Sequence, residues 1–153
     1  MNLSIKILTV MTLFLLTGCI TPKPDAMKRE VSSFTVPQLP QDNQAMVYVV
    51  RPATLGTLVE FDVFVDGKEE KSKVGHTKGK EYIYFGLSTG KHQILSKAKN
   101  WATLEIDAKN KELIFLEQQP SSGFPLPSNQ LIKLPQYEGK YHVKHLKRGT
   151  IKE

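Results

Sequence analysis

The chain has 153 residues, which is enough for one domain of ordinary size and too few for a two-domain enzyme. Hydrophobic residues make up 40% and charged residues 24%, so the composition excludes wholesale disorder and a polytopic membrane protein. Lys and Arg number 21 against 15 Asp and Glu. The resulting formal charge of +6 favours anionic partners without selecting any one of them.

The N-terminus carries the pattern of an export signal. Lys6 precedes a charge-free apolar run from Ile7 to Leu16, which as a helix would rise only about 15 Å, half of a bilayer core. The following Leu16-Thr17-Gly18-Cys19 resembles the bacterial lipobox, in which lipoprotein signal peptidase cuts just ahead of a lipid-modified cysteine. We predict a lipoprotein signal peptide over 1–18, with diacylglycerol and an acyl chain such as palmitate on Cys19.

Cys19 is the only cysteine, so the chain forms no intramolecular disulfide, and acylation explains a lone exported thiol. The alternatives are a soluble exported protein and a cytosolic protein with a buried cysteine near its start. Two or more acyl chains would make membrane attachment effectively permanent. Ile20 follows the cysteine, and resemblance to Gram-negative lipoproteins then favours the outer membrane, with the domain facing the periplasm.

Residues 19–44 are predicted to be the lipidated cysteine and a Pro-rich linker. Four prolines lie among Thr, Ser, Gln and Asp, with no long apolar periodicity. A flexible chain of this length would span about 25 to 30 Å on average, enough to lift a domain clear of the headgroups. An alternative is that 31–36 docks as an additional strand.

Residues 45–147 are predicted to be the folded domain. Short runs of β-branched and aromatic residues recur every 8 to 12 residues with polar turns between them, a spacing typical of an all-β fold. We predict an antiparallel β-sandwich of about seven strands, with strands at 46–50, 61–65, 81–87, 92–98, 101–106, 113–117 and 129–134. The stretch 71–80, which contains His76, is predicted to be a long flexible loop.

The last part of the domain is predicted to be a short C-terminal helix over 137–146. Tyr141 and His145 would share one side of this helix at positions i and i+4, and Gly149 would end it. Residues 148–153 are predicted to be a basic tail.

Several segments of the domain together resemble one family of bacterial proteins. They are Tyr48-Val49-Val50-Arg51-Pro52, the run from Phe61 to Lys68, Leu87-Ser88-Thr89-Gly90-Lys91-His92, Gly123-Phe124 and Glu138-Gly139-Lys140. In this order they are similar to the uncharacterised lipoproteins grouped as domain of unknown function 2846. Ser88-Thr89-Gly90 departs from the Pro-Pro-Gly that family members typically show. The pattern also resembles PEGA-type and carboxypeptidase-regulatory-like sandwiches, and the resemblance implies surface binding or display rather than an established activity.

The sequence offers little catalytic chemistry. It contains no Gly-x-Ser-x-Gly elbow, no His-Glu-x-x-His motif and no paired acid cluster, so we expect a non-catalytic protein without a cofactor other than the lipid. His142 and His145 would share a helix face and form the only candidate metal pair, with Glu138 as the local carboxylate. The simpler interpretation is an exposed basic pair.

We expect the domain to bind or scaffold another envelope component, either a protein or an anionic polymer. The candidate electrostatic contacts are Lys140, Lys144, Lys147 and Arg148, and the candidate apolar anchors are Phe64 and Phe124. A basic segment near anionic lipid gains up to about 1 kcal/mol per charge. The alternative is a metal- or small-molecule-binding periplasmic protein that uses His142 and His145, and the predicted compartment argues against nucleic acid.

Overall fold

The computed structural model describes residues 21–122 and 128–152. Within these ranges the chain forms two α-helices, one 3-10 helix over Glu70–Ser72 and ten strands. In chain order the helices and strands are α1 (Pro24–Glu30), β1 (Gln44–Arg51), β2 (Phe61–Val65), β3 (Lys73–Thr77), β4 (Glu81–Ser88), β5 (Gly90–Lys97), β6 (Trp101–Ala108), β7 (Leu113–Ser121), β8 (Ser128–Leu134), α2 (Gln136–His145), β9 (Lys147–Arg148) and β10 (Thr150–Ile151).

The strands form two five-stranded sheets packed face to face, which confirms the all-β sandwich with a short C-terminal helix. Sheet A has the order β8-β7-β1-β4-β9, and sheet B has the order β10-β3-β2-β5-β6. Two pairings in sheet A are parallel, β1 with β7 and β4 with β9, whereas the prediction was antiparallel throughout. The described strands exceed the predicted seven because β3, β9 and β10 are short and carry little apolar pattern.

The core lies between the sheets and consists of aliphatic side chains from both. Val47 and Val49 of β1 meet Val63 of β2 and Ile94 of β5, all without exposed surface. One polar group crosses this core: Gln118 of β7 accepts a hydrogen bond from the Thr77 hydroxyl at 2.5 Å and donates one to the Ser96 hydroxyl at 2.7 Å. These bonds join sheet A to two strands of sheet B near the end where β1 finishes.

A second layer covers the outer face of sheet A. Strand β1 is buried on both faces, because Tyr48 and Val50 point away from the inter-sheet core into a cluster with Phe115 of β7. Helix α2 packs its Val143 onto this cluster, and Val36 fills the same surface from the N-terminal segment. The continuous apolar run of β1 therefore reflects burial on two sides.

The N-terminal segment is not the free linker that its composition suggests. Residues 24–30 form α1, which packs against α2, and Met27, Val31 and Val36 are all at most 5% exposed. The Tyr48 hydroxyl donates to the Gln38 carbonyl and accepts from the Gln38 amide, which fixes the following stretch. The N-terminal segment packs here because α2 covers only part of the apolar outer face of sheet A.

Two other predictions are corrected by strand pairing. The stretch predicted as a flexible loop contains β3, which pairs with β2 and places His76 opposite Asp62. The predicted basic tail is not a free tail, because β9 joins sheet A beside β4 and β10 joins sheet B beside β3. Helix α2 ends at His145, and Gly149 lies between β9 and β10 rather than at the end of the helix.

Candidate functional site

A cleft of about 550 Å³ lies between the two helices and the end of sheet A where β1 finishes. We call it the helix–sheet cleft. Most of its polar side chains come from the turn before β4, from β7 and from α2. The rest of its lining consists of Thr21, Pro22, Met27, Pro52, Ala53 and Leu146. The polar lining residues are Lys80, Glu117, Glu138, Tyr141, His142 and His145.

His142 is the most perturbed histidine in the described part of the chain. Burial lowers its pKa to about 4, and the positive charges of Lys80 and His145 act in the same direction. The imidazole is therefore neutral at neutral pH and offers one donor nitrogen and one acceptor nitrogen. Helix α2 sets this position, because the adjoining residues Gly139 and Val143 pack its inner face onto sheet A.

Glu117 brings a carboxyl group into the cleft from β7. Burial raises the pKa of Glu117, a hydrogen bond from Gln119 opposes the shift, and the charge of Glu138 reinforces it. Two carboxylates from different elements thus share one partly enclosed site. Perturbed acids and bases gathered in a cleft mark a candidate functional site, because such sites hold groups away from their ordinary protonation equilibria.

His145 is engaged with α1. Its Nε2 lies 2.6 Å from Glu30 Oε1, and Lys144 Nζ lies 3.3 Å from the same oxygen. The hydrogen bond from His145 is the main cause that lowers the pKa of Glu30. The Tyr141 ring packs beside His145 with ring centroids 4.6 Å apart, as the i and i+4 spacing predicts. His145 therefore closes the cleft between the helices while His142 lines its interior.

The two histidines are not part of a pre-assembled metal site. Within residues 21–122 and 128–152, one group of three potential ligands comes within 4.8 Å of one another. It consists of Asp62 and His76 on sheet B and Glu60, which directly precedes β2. Lys73 Nζ lies 2.9 Å from Asp62 and Lys78 Nζ lies 3.4 Å from Glu60. Because these cations neutralise both carboxylates, we interpret the group as a surface ion-pair network.

A shallow groove of about 400 Å³ on sheet B borders a Ser-His-Asp arrangement. His92 Nδ1 lies 2.6 Å from Asp66 Oδ2, and His92 Nε2 lies 3.2 Å from Ser88 Oγ. However, Nε2 also lies 3.0 Å from the Ser88 carbonyl oxygen, so this nitrogen faces the main chain as well as the hydroxyl and is not a base directed at the serine alone. We therefore conclude that these residues have a structural role: they hold the turn after β2 to the turn between β4 and β5.

Asp66 lies in the turn that these hydrogen bonds hold in place. It occupies a turn with φ of 57° and also accepts the Gln93 amide at 2.8 Å. Burial acts to raise its pKa, but the hydrogen bonds from His92 and Gln93 outweigh it, and the net shift is downward. The predicted Asp-Gly turn after β2 is thus held to β5 by its own side chain.

One of the two predicted apolar anchors, Phe64, is buried inside the domain. Phe64 is 4% exposed, stands opposite Leu95 and packs against the Trp101 ring with centroids 5.1 Å apart. The alternation of buried and partly exposed side chains along β2 is broken at Phe64, where the pairing with β3 shifts register after Val63. Trp101 of the same chain covers the Phe64 ring. Phe64 is therefore not an exposed contact for a partner. Phe124 and Cys19 lie outside the described residues.

The predicted basic contacts divide into two sets. Lys140 and Lys144 are one helical turn apart on α2, and Lys144 is paired with Glu30. Lys147 and Arg148 are exposed on β9, at the edge of sheet A, where they stand beside Glu81 and Tyr82 of β4. The second set is therefore the freer one, and it lies at the end of the sandwich that carries the helix–sheet cleft.

Lys80 and Glu117 are cleft residues that the sequence analysis missed. They reach the cleft from a turn and from β7, and only the pairing of β4 and β7 on either side of β1 brings them together. The one available signal was Glu117 itself, a charged residue at the end of the apolar run Leu113–Leu116. A charge in such a position predicts a partly buried carboxylate.

No family model, curated protein or solved structure matches this chain, so the family resemblance stays a prediction. No helix within residues 21–122 and 128–152 is long and apolar enough to cross a bilayer.

Proposed function

We propose that the chain is a lipid-anchored cell-envelope lipoprotein whose β-sandwich binds another envelope component without catalysis. The apolar run 7–16 and the following Leu16-Thr17-Gly18-Cys19 support export and acylation. By the same resemblance, the protein resides in the outer membrane and faces the periplasm. The helix–sheet cleft is the binding site in this proposal.

The observation that carries the proposal is the position of Thr21 and Pro22. Both residues line the helix–sheet cleft, and Thr21 is only two residues after Cys19. Two residues of extended chain span at most about 7 Å. Acyl chains on Cys19 would therefore hold the mouth of the cleft at the membrane surface, in place of a domain suspended on a long linker.

The lining of the cleft favours a protein segment over an anionic polymer. Glu117 and Glu138 both face the site, so a phosphate-rich or carboxylate-rich polymer would meet like charge there. A partner that supplies a basic side chain or amide donors would pair with these carboxylates and with neutral His142. Pro22, Pro52 and Leu146, which are only partly buried, provide the apolar surface for the rest of such a segment.

The anchor is tested by Cys19→Ala in the full-length chain. We expect the parent to incorporate labelled palmitate and to start at an acylated Cys19 by mass spectrometry, and we expect the variant to lose both properties. Cys19→Ala should also move the protein out of the membrane fraction. An unmodified thiol on a processed or unprocessed parent chain would overturn the lipoprotein assignment.

Binding at the cleft is tested with a photo-crosslinking amino acid at Lys80 in intact cells. Lys80 is exposed and lines the cleft, and Lys109, which is exposed in the turn after β6, provides the control position. We expect one dominant protein adduct from position 80 only, weakened by Glu138→Gln. Equal adducts at both positions, or none at position 80, would remove the cleft as the binding site.

The alternative function is metal or small-molecule binding through His142 and His145. The observation in its favour is that both histidines line the same cleft, with Glu138 one turn before His142 on α2. It predicts stoichiometric zinc or copper on the purified full chain, and loss of that metal in His142→Gln. A metal-free preparation whose melting temperature does not change when zinc is added would remove this alternative.

A further inference from the structure

The loop between β1 and β2, residues 52–60, carries the most exposed large apolar side chain of the described residues. Leu58 is 88% exposed and Leu55 is 48% exposed. Single exposed leucines are common on protein surfaces and need no explanation. Two exposed leucines on one short loop indicate a binding surface only if the loop is ordered and its surroundings favour one kind of partner.

The loop is ordered from within by Arg51. The buried guanidinium donates to the carbonyls of Val59 at 2.6 Å, Gly56 at 2.8 Å and Leu55 at 3.2 Å. The Val59 amide bonds the Gly56 carbonyl, and Gly79 donates to the Thr57 carbonyl at 3.1 Å. The backbone is thus fixed by polar contacts while both leucine side chains remain outside.

The loop lies beside the site where the N-terminal segment meets the fold. Pro52 and Ala53, at its base, line the helix–sheet cleft together with Thr21 and Pro22. Its middle contacts the next turn, since a Cβ on Gly79 would lie 2.9 Å from Thr57 Cα. Because Thr21 is only two residues after Cys19, acyl chains on Cys19 would enter the bilayer close to this loop.

The charge around the loop fits a membrane surface. Lys78 and Lys80 lie on the adjoining turn, and Lys147 follows on β9, where its amide bonds the Lys80 carbonyl. Arg148 is the next residue, so four cations lie near the loop together with Glu60 and Glu81, while Glu117 and Glu138 line the adjoining cleft. Leucines surrounded by an excess of basic residues are typical of segments that insert shallowly between anionic headgroups.

We propose that the 52–60 loop is a second, non-covalent membrane contact. Leu55 and Leu58 insert into the leaflet that carries the acyl chains of Cys19, and the two contacts together fix the orientation of the sandwich and its cleft. The inference rests on the proposed lipid anchor. A single flexible attachment would leave the domain free to rotate, whereas a second contact close to the first limits rotation.

The test places an environment-sensitive fluorophore on the loop of the full lipidated chain. Thr54→Cys provides the labelling site, because acylation consumes Cys19 and Thr54 is exposed beside Leu55. Leu39→Cys is the matched control, since Leu39 is 53% exposed in the segment leading to the start of β1, at the other end of that strand. The labelled chains are reconstituted into vesicles of phosphatidylethanolamine with a minority of phosphatidylglycerol.

We expect emission from position 54 to rise several-fold, to shift to the blue and to be quenched by nitroxide-labelled lipid, with no change at position 39. Leu55→Ser with Leu58→Ser should abolish the change at position 54 while the chain still floats with the vesicles. A floating, acylated chain whose position 54 behaves like position 39 would overturn the loop contact alone. A chain without acyl groups that does not float would overturn the proposed anchor, and the loop contact with it.

Discussion

Arg51 is the residue on which the order of the 52–60 loop depends. It has no exposed surface, and its guanidinium lies 3.6 Å from the centre of the Phe61 ring. Burial lowers its pKa to about 10, while Glu81 on the neighbouring strand opposes the shift. The charge therefore persists at neutral pH and is balanced by carbonyl dipoles and an aromatic face.

Arg51→Met is expected to destabilise the fold strongly. The substitution leaves the carbonyls of Leu55 and Val59 without their donor and removes one of the two donors to the Gly56 carbonyl. Each acceptor that loses its donor away from water costs about 1 to 3 kcal/mol. We expect a total loss of about 3 kcal/mol or more in urea unfolding. Arg51→Lys should fall between parent and Met, because a single ammonium cannot reach carbonyls on several sides.

The control for this prediction is Arg148→Met. Arg148 is exposed on β9, so removal of its charge should change the free energy of unfolding by less than about 0.5 kcal/mol. If Arg51→Met proved as stable as Arg148→Met, the loop would not depend on the buried guanidinium.

At the scale of elements, α2 is held unusually close to sheet A. Gly139 faces Phe115 of β7 so closely that a Cβ at this position would overlap the ring. Phe115 has no room to retreat, since it is 1% exposed and stacks on Tyr48 with centroids 5.4 Å apart. The Glu138-Gly139-Lys140 motif therefore has a packing reason at its glycine.

Gly139→Ala is expected to destabilise the protein even though alanine favours helix by about 1 kcal/mol. Overpacking costs about 1 to 3 kcal/mol, and here it would also push α2, which forms one wall of the cleft, away from sheet A. The measurement is a double-mutant cycle with Phe115→Leu in urea unfolding. The second substitution should recover part of the loss from the first, whereas strictly additive effects would contradict the proposed contact.

Local pattern predicted most of the elements, because strand alternation and the i, i+4 spacing of α2 are properties of neighbouring residues. Helix α1 also had local signals, with Pro24 at its first position and basic residues in its last turn. It was missed because seven residues are too few to display a period, and because its burial depends on α2, more than 100 residues later in the chain.

At the scale of the whole molecule, the candidate site is more distributed than the sequence suggested. His142 and His145 were predicted as a pair from their spacing alone, and both line the cleft. Lys80, Glu117 and Thr21 reach the same cleft only through sheet order and helix docking, which no local pattern encodes. Whether a side chain is exposed also depends on residues that are distant in the sequence, since Phe64 is covered by Trp101 from another strand.

The helix–sheet cleft should make folding sensitive to acid through His142. The pKa of His142 is lowered from 6.5 to about 4 by burial, so the folded state favours the neutral ring, and protonation favours unfolding. Its contribution to stability is present above pH 6.5 and is lost as the pH falls towards 4, by at most about 3 kcal/mol. Glu117 acts in the opposite sense, since its raised pKa means that its burial is most costly when the carboxyl is ionised.

The measurement is urea unfolding of the parent and of His142→Gln across this pH range. The glutamine keeps a polar side chain but does not titrate, so the difference in unfolding free energy between the two proteins should shrink or reverse as the solution is acidified. Glu117→Gln is the companion variant, and it should stabilise the protein most at neutral pH and least in acid. If the parent and His142→Gln followed parallel stability curves from pH 6.5 to 4, the imidazole would not be held neutral by the cleft, and the site would be open to water on that side.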